Sequence, residues 1–277
     1  MRTLQEAISR MENKGGAGAT LRKHLFASGI KEWGDFCRSA LYEFRDEVVG
    51  SVAPSTAKTI MAIAKAFIKR YQDEVDIPND WEKILSAKGD SSRSTYLTPE
   101  ELRAFEAVKT NSPAEHIVQV ESLIEAYTGA RLSDVMSLTE ANFAGGYLTY
   151  TSQKTHITAT IPVSKKTRGW IVYAQNHRED EPCLVARNRI IRRLAQRAGI
   201  NEIVKTRHAG VERTTPKWQV LSSHDFRKSC ATNLVLAGAS LTEAKLVLGH
   251  TSEAMTSRYV VASCPNLSPE ALKYFET

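Results

Sequence analysis

The chain has 277 residues, enough for one large domain or two modest ones with real hydrophobic cores. With 42% hydrophobic and 25% charged residues its composition is that of ordinary globular proteins, which excludes a disordered or fibrous chain. Lys and Arg exceed Asp and Glu by 37 to 31, a net charge of +6 that favours polyanionic partners without demanding them.

Four cysteines, Cys37, Cys183, Cys230 and Cys264, lie far apart with no CxxC pair, so they read as reduced intracellular thiols and not as a zinc knuckle or a disulfide framework. The opening residues "MRTLQEAISRMENKGG" carry charges where a signal peptide has an apolar stretch, and no run of 18 apolar residues occurs. The expectation is a soluble, cytoplasmic protein with no membrane partner.

Residues 1 to about 85 read as helical, interrupted by the breaker cluster "NKGGAGAT" and the turn "GSVAPST". After Pro54, "STAKTIMAIAKAFIKRYQ" places Ile60, Ala64, Phe67 and Tyr71 on one helical stripe, with Lys58, Lys65, Lys69 and Arg70 mostly on other faces. That basic face is either solvated or contacts DNA. Next, "LSAKGDSSRSTY" has the composition of an exposed linker, which sets a boundary near residue 90: a domain over 1–88, a linker over 89–96 and a second domain over 97–277. The second domain opens at "LTPEEL", where Thr98 suits a cap, Pro99 the first helical position, and Glu100 and Glu101 the positive helix end.

Within it, "AEHIVQVESLIEAYTG" puts Ile117, Val120, Ile124 and Tyr127 on one stripe and ends at Gly129. The stretch "GGYLTYTSQKTHITATIPV" is the only convincing β segment, read as a hairpin whose mobile tip carries Lys154. From about residue 167 the chain reads as helical again, which makes the whole mainly α with a small β-hairpin or sheet.

Two polar segments then stand out. In "TGARLSDVMSL", Arg131 follows a helix end and precedes a helix expected to be capped by Ser133. In "HDFRKSCATNLVLAGASLTEAKLVLGH", His224 and Arg227 share one helical face while Phe226, Cys230 and Leu234 point to the core. Ser240 and Glu243 form a capping box, Gly249 stops that helix before His250, and a helix from Thr251 or Ser252 brings Tyr259 about two turns later.

Taken in order, a "TGxR" arginine, a hairpin lysine, H-x-x-R, "LGH" and a tyrosine nine residues after that histidine resemble the tyrosine recombinase, or phage integrase, family over residues 97 to 260. The resemblance implies a site of Arg131, Lys154, His224, Arg227, His250 and Tyr259. It also implies a helical, SAM-like core-binding domain over 1–88 that closes a C-shaped clamp on DNA with the catalytic domain. Lys165 and Lys166 in "SKKTRG" are alternatives to Lys154, and Lys228, Cys230 and Asp134 stand where the family often has other residues.

The chemistry of this set supports the carry-over. Attack on a phosphodiester builds charge on the non-bridging oxygens, which two guanidinium groups, Arg131 and Arg227, are suited to clamp. The nucleophile is the Tyr259 hydroxyl, with His224 as base, His250 as donor to the phosphate or support of the transition state, and Lys154 as acid for the departing 5′ oxygen. A 3′-phosphotyrosyl bond conserves the ester energy, so no ATP, metal or other cofactor is expected, and Asp134 and Asp225 are read as helix N-terminal, arginine-orienting residues. The expected activity is site-specific DNA recombination or integration, with a catalytically silent DNA-binding regulator and a type IB topoisomerase-like enzyme as alternatives. Expected partners are a double-stranded recombination site, three further copies in a cyclic tetramer on two sites, and possible accessory DNA-bending proteins. The tail over 266–277, with Ser268 as cap and Leu272 and Phe275 as anchors, is expected to exchange between protomers.

Overall fold

The computed structural model describes residues 2–12, 16–88, 95–208 and 211–261. The C-terminal tail, Cys264 and most of the expected linker lie outside these residues. The chain divides into two compact units, residues 1–93 with 205–213, and residues 94–204 with 214–277.

Among the described residues the first unit has five α-helices: α1 (Leu4–Glu12), α2 (Ala17–Ala27), α3 (Arg38–Ser51), α4 (Pro54–Tyr71) and the short α5 (Trp81–Ile84). Pro54 stands at the first position of α4, where its missing N–H costs nothing. The stripe read from the sequence is the buried one: Ile60, Ala64, Phe67 and Tyr71 face a core shared with Leu21, Leu41 and Phe44. Trp33 stacks on Phe67 with centroids 5.6 Å apart and leans on Phe36 and Tyr71, an aromatic cluster that anchors this core.

In the second unit come α6 (Pro99–Glu106), α7 (Pro113–Thr128), α8 (Leu132–Val135), the strands β1 (Phe143–Ala144), β2 (Tyr147–Thr151) and β3 (Thr158–Pro162), α9 (Lys165–Gln175) and α10 (Leu184–Arg197). Strands β4 (Ile203–His208) and β5 (Val211–Pro216), whose residues 205–213 are grouped with the first unit, follow in the chain, and the second unit then resumes with α11 (Ser223–Leu236), α12 (Leu241–Leu248) and α13 (Glu253–Ser257). The β1–β2–β3 sheet is antiparallel, with Leu148 opposite Ile161 and Tyr150 opposite Ala159 on the buried face. Thr98 caps α6, as its sequence implied, and does so through a reciprocal capping box with Glu101. No helix among the described residues is long and apolar enough to cross a membrane.

Three expectations need correction. The region after residue 167 is not wholly helical, because β4 and β5 form a second, two-stranded sheet; "IVKTRHAGVERTTP" is polar on both faces and shows no apolar alternation to read. Ser133 lies inside α8, whose N-cap is Arg131 itself. Tyr127 is 43% exposed, although α7 is otherwise buried on nearly every side. Packed against α6, α8, α9, α10 and α11, α7 takes Glu115, Gln119, Glu121, Ser122, Glu125 and Thr128 into the interior. Amphipathic periodicity describes a helix with one solvent face, and α7 has almost none.

Candidate active site

Two helices end side by side on left-handed glycines. Gly129 closes α7 with φ 67°, and a Cβ there would meet Leu248 Cδ2 at 2.9 Å and Cys230 Sγ at 3.2 Å, so both conformation and space require glycine. Gly249 closes α12 with φ 59° after the Ser240–Glu243 capping box opened it. The carbonyls exposed at these ends converge on one side chain. Arg227, on α11 and 0% exposed, donates from Nη1 to the Gly129 carbonyl and from Nη2 to the Leu248 carbonyl at 2.7 Å. A guanidinium between the negative ends of two helices is favourably placed even without water. Its Nε has no hydrogen-bond partner among the described residues.

Arg227 Nη2 also lies 2.9 Å from His250 Nε2, and His250 Nδ1 lies 3.1 Å from Thr256 Oγ1. Arginine only donates, so Nε2 is the acceptor and the ring proton sits on Nδ1, donating to Thr256. Burial, then Arg227, Arg131 and His224, push the His250 pKa down to about 4, which keeps the ring neutral.

Tyr259 follows α13, which Ser252 caps, and its N–H donates to the Thr256 carbonyl at 2.8 Å while its own carbonyl accepts from Thr232 Oγ1 at 3.2 Å. The ring meets His224 edge-on at 5.0 Å and His250 at 4.6 Å, and Arg227 Cζ lies 5.6 Å from its centroid. His224 sits in the first turn of α11 and keeps solvent contact, yet protein packed around the ring, then Lys228, lowers its pKa to about 4. Asp225 opposes this shift, and Arg227 and Arg131 add to it.

Arg131 donates from Nη1 to Ser152 Oγ at 2.7 Å and lies 3.9 Å from Asp134 Oδ2 without hydrogen-bonding it. Ser152 begins the turn between β2 and β3 that carries Lys154. This turn is pinned, contrary to the mobile tip expected: Gln153 N donates to Asp134 Oδ1 at 2.9 Å, and Thr155 Oγ1 donates to the Gly249 carbonyl at 3.2 Å. Lys154 itself is exposed and makes no hydrogen bond or ion pair with the described residues. Of its alternatives, Lys166 is paired with Glu106 and lies over Trp170. Asp225 orients no arginine; it caps α11 through Ser222 and holds Lys228 at 3.0 Å.

Structure thus brings Arg227, His224, His250 and Tyr259 into one cluster, sets Arg131 and the Lys154 turn on a shared hydrogen-bonded frame, and keeps Lys58, Lys65, Lys69 and Arg70 on α4 in the other unit. Ser152, Thr256 and Glu125 were missed, since a lone Ser, Thr or Glu carries no spacing signal. Among the described residues no group of three or more His, Cys, Asp or Glu side chains is placed to hold a metal ion.

Residues 95–264 match the phage integrase family. The chain belongs to that family, the tyrosine recombinases. Its fold is similar to that of lambda integrase (residues 75–356) in a dimer bound to a COC′ core site, at 16% identity and TM-score 0.69 over 97% of this chain and 100% of that one. A lambda integrase tetramer bound to a Holliday junction matches at 16% identity and TM-score 0.64, over 96% of this chain and 80% of that one. The Tn1549 transposon integrase in complex with transposon right end DNA matches at 13% identity and TM-score 0.68, over 100% of both chains. Comparison with curated protein sequences gives no significant match. Within the recombinase fold, the Gly129 and Gly249 helix ends are what set Arg227 beside Tyr259.

Proposed function

We propose that the protein is a site-specific DNA recombinase that cuts and rejoins strands through a 3′-phosphotyrosyl intermediate on Tyr259. The observation that carries this reading is the Tyr259 ring held edge-on to two neutral histidines and beside a buried guanidinium. Tyr259 Oη attacks phosphorus, its proton passing to His224, which is neutral at pH 7 and free to accept it. As the new O–P bond forms, the bond from phosphorus to the 5′ oxygen breaks and Lys154 supplies that oxygen's proton. Arg131 and Arg227 take the charge that gathers on the non-bridging oxygens. His250 acts here chiefly as support, because its Nε2 already accepts from Arg227 and fixes that guanidinium. In the second half, a 5′ hydroxyl attacks the phosphotyrosine and the same groups run in reverse, with no nucleotide consumed.

The first unit supplies further DNA contacts from the basic side of α4, and four copies act on two sites, as the tetramer of lambda integrase on a Holliday junction suggests. The test uses nicked DNA fragments from either side of the gene, run on a denaturing gel. Wild type should give a slow-migrating covalent adduct that Tyr259→Phe abolishes. No adduct on a randomised library that the protein binds would overturn the recombinase reading in favour of a DNA-binding regulator.

A further inference from the structure

Helices α7 and α11 are tied at two places, one helical turn apart on each. At the site, Arg227 donates to the carbonyl of Gly129. One turn earlier on both helices, Ser223 Oγ donates to Glu125 Oε1 at 2.6 Å. From 125 to 129 and from 223 to 227 is four residues each, so the two ties run in the same sense, about 6 Å apart along each axis. Ser223 is held from its other side as well, its N–H donating to Asn188 Oδ1 of α10 at 3.2 Å. Glu125 is 1% exposed and has no part in the chemistry proposed above.

Two fixed points on one helix set its rotation as well as its position. Arg227 and the contacts beyond it hold the later turns of α11, and Ser223 is the side-chain tie of its first turn to α7. Ser223 immediately precedes His224, so a swivel at this first turn carries the imidazole away from the Tyr259 ring, whose centroid lies 5.0 Å from its own. We propose that Glu125 is a positioning residue for strand cleavage, registering α11 through Ser223 so that His224 faces Tyr259 while Arg227 stays on Gly129. This rests on the recombinase reading for its consequence and on the two ties for its geometry.

Glu125 does this as a neutral acid. Burial raises its pKa to about 8; the Ser223 hydrogen bond, Arg187 of α10 and Arg227 of α11 pull it down, and Glu121 on its own helix pushes it up. A neutral carboxyl holds Ser223 without setting a negative charge behind the guanidinium that a phosphate must meet, whereas an anion there would offset part of that positive charge.

The experiment compares Ser223→Ala and Glu125→Gln with wild type in the full chain. The readouts are the NMR titration of the His224 imidazole without DNA, the rate of adduct formation on nicked DNA, and DNA affinity. Ser223→Ala should move the His224 titration toward that of a free imidazole and slow adduct formation about 10-fold at unchanged DNA affinity. Glu125→Gln, which keeps an acceptor and no charge, should keep the wild-type rate at pH 7 and remove the decline expected of wild type as pH rises through about 8. Ser223→Ala with both titration and rate as in wild type would overturn the proposal. So would Glu125→Gln with a loss at pH 7 as large as that of Ser223→Ala. Should wild type form no adduct on any DNA it binds, the recombinase reading fails, and the His224 titration still decides whether Glu125 and Ser223 position that ring.

Discussion

Among the described residues between Leu4 and Leu85 the buried side chains are apolar apart from His24 and Ser28, whereas the second unit takes Glu121, Glu125, Arg187, Lys217, Arg227 and His250 out of water. Packing alone accounts for the first. The second carries pairs such as Glu121 and Arg187, 2.5 Å apart yet without hydrogen-bond alignment, in which burial raises Glu121 to about 7 against the pull of the arginine. Buried ions of this kind add little net stability, because desolvation offsets their attraction. Their return is geometric: Arg227 spans two helix ends, and Glu125 and Ser223 fix the helix that bears it.

If the first core is held by packing, its largest response is to a cavity. Phe67→Ala removes the ring stacked on Trp33 and should lower the stability of that unit by about 3–5 kcal/mol, measured by chemical denaturation. The loss should be the same at pH 5.5 and 8.5, and a strong pH dependence would break the contrast between the units. In the second unit, Arg227→Lys keeps one positive charge but loses the fork that reaches the Gly129 and Leu248 carbonyls together. Adduct formation should fall about 10²- to 10³-fold at saturating DNA. A lysine that restored near-normal rates would show that charge, and not its geometry, is what the site uses.

The same contrast decides what could be read from the sequence. In α4 the buried stripe was legible because one face meets water, and at Thr98, Gly129, Ser240 and Gly249 helix boundaries were legible because capping needs particular residues. The histidines, Arg227 and Tyr259 were located by spacing and by resemblance to a family. What escaped was set by tertiary contact. The sequence of β4 and β5 shows no apolar alternation, α7 hides its glutamates inside a ring of helices, and the turn bearing Lys154 is pinned by Ser152, Gln153 and Thr155 through partners distant in sequence.

A buried acid also leaves a signature in pH. The pKa of Glu125 is raised from an unfolded value near 4.5 to about 8, so its contribution to stability is fully present below the unfolded value and is lost as pH rises from there through about 8. Glu125→Gln removes the group that titrates. It should stabilise the second unit at pH 8.5 by several kcal/mol, up to about 5, and change little at pH 4.5, compared by thermal unfolding at the two values. A variant less stable than wild type at pH 8.5 would mean that the carboxylate is paired, not neutral.

The smallest effect expected separates exposed charge from buried charge. Lys58 and Lys69 are exposed on α4, while Lys65 is half-buried. If the exposed pair meets DNA phosphates, Lys58→Ala with Lys69→Ala should leave thermal stability unchanged and weaken binding only several-fold near physiological salt. The slope of log affinity against log salt should fall in magnitude by about 0.9 for each phosphate no longer neutralised, or about 1.8 for the pair. The deficit then fades at high salt, because the released counterions are what these lysines contribute. Arg227 is buried among fixed carbonyls, so the cleavage defect of its lysine variant should persist at every salt concentration at which DNA is saturated. An unchanged slope in the double variant would mean that this face of α4 is only solvated, and that the first unit meets DNA through another surface or not at all.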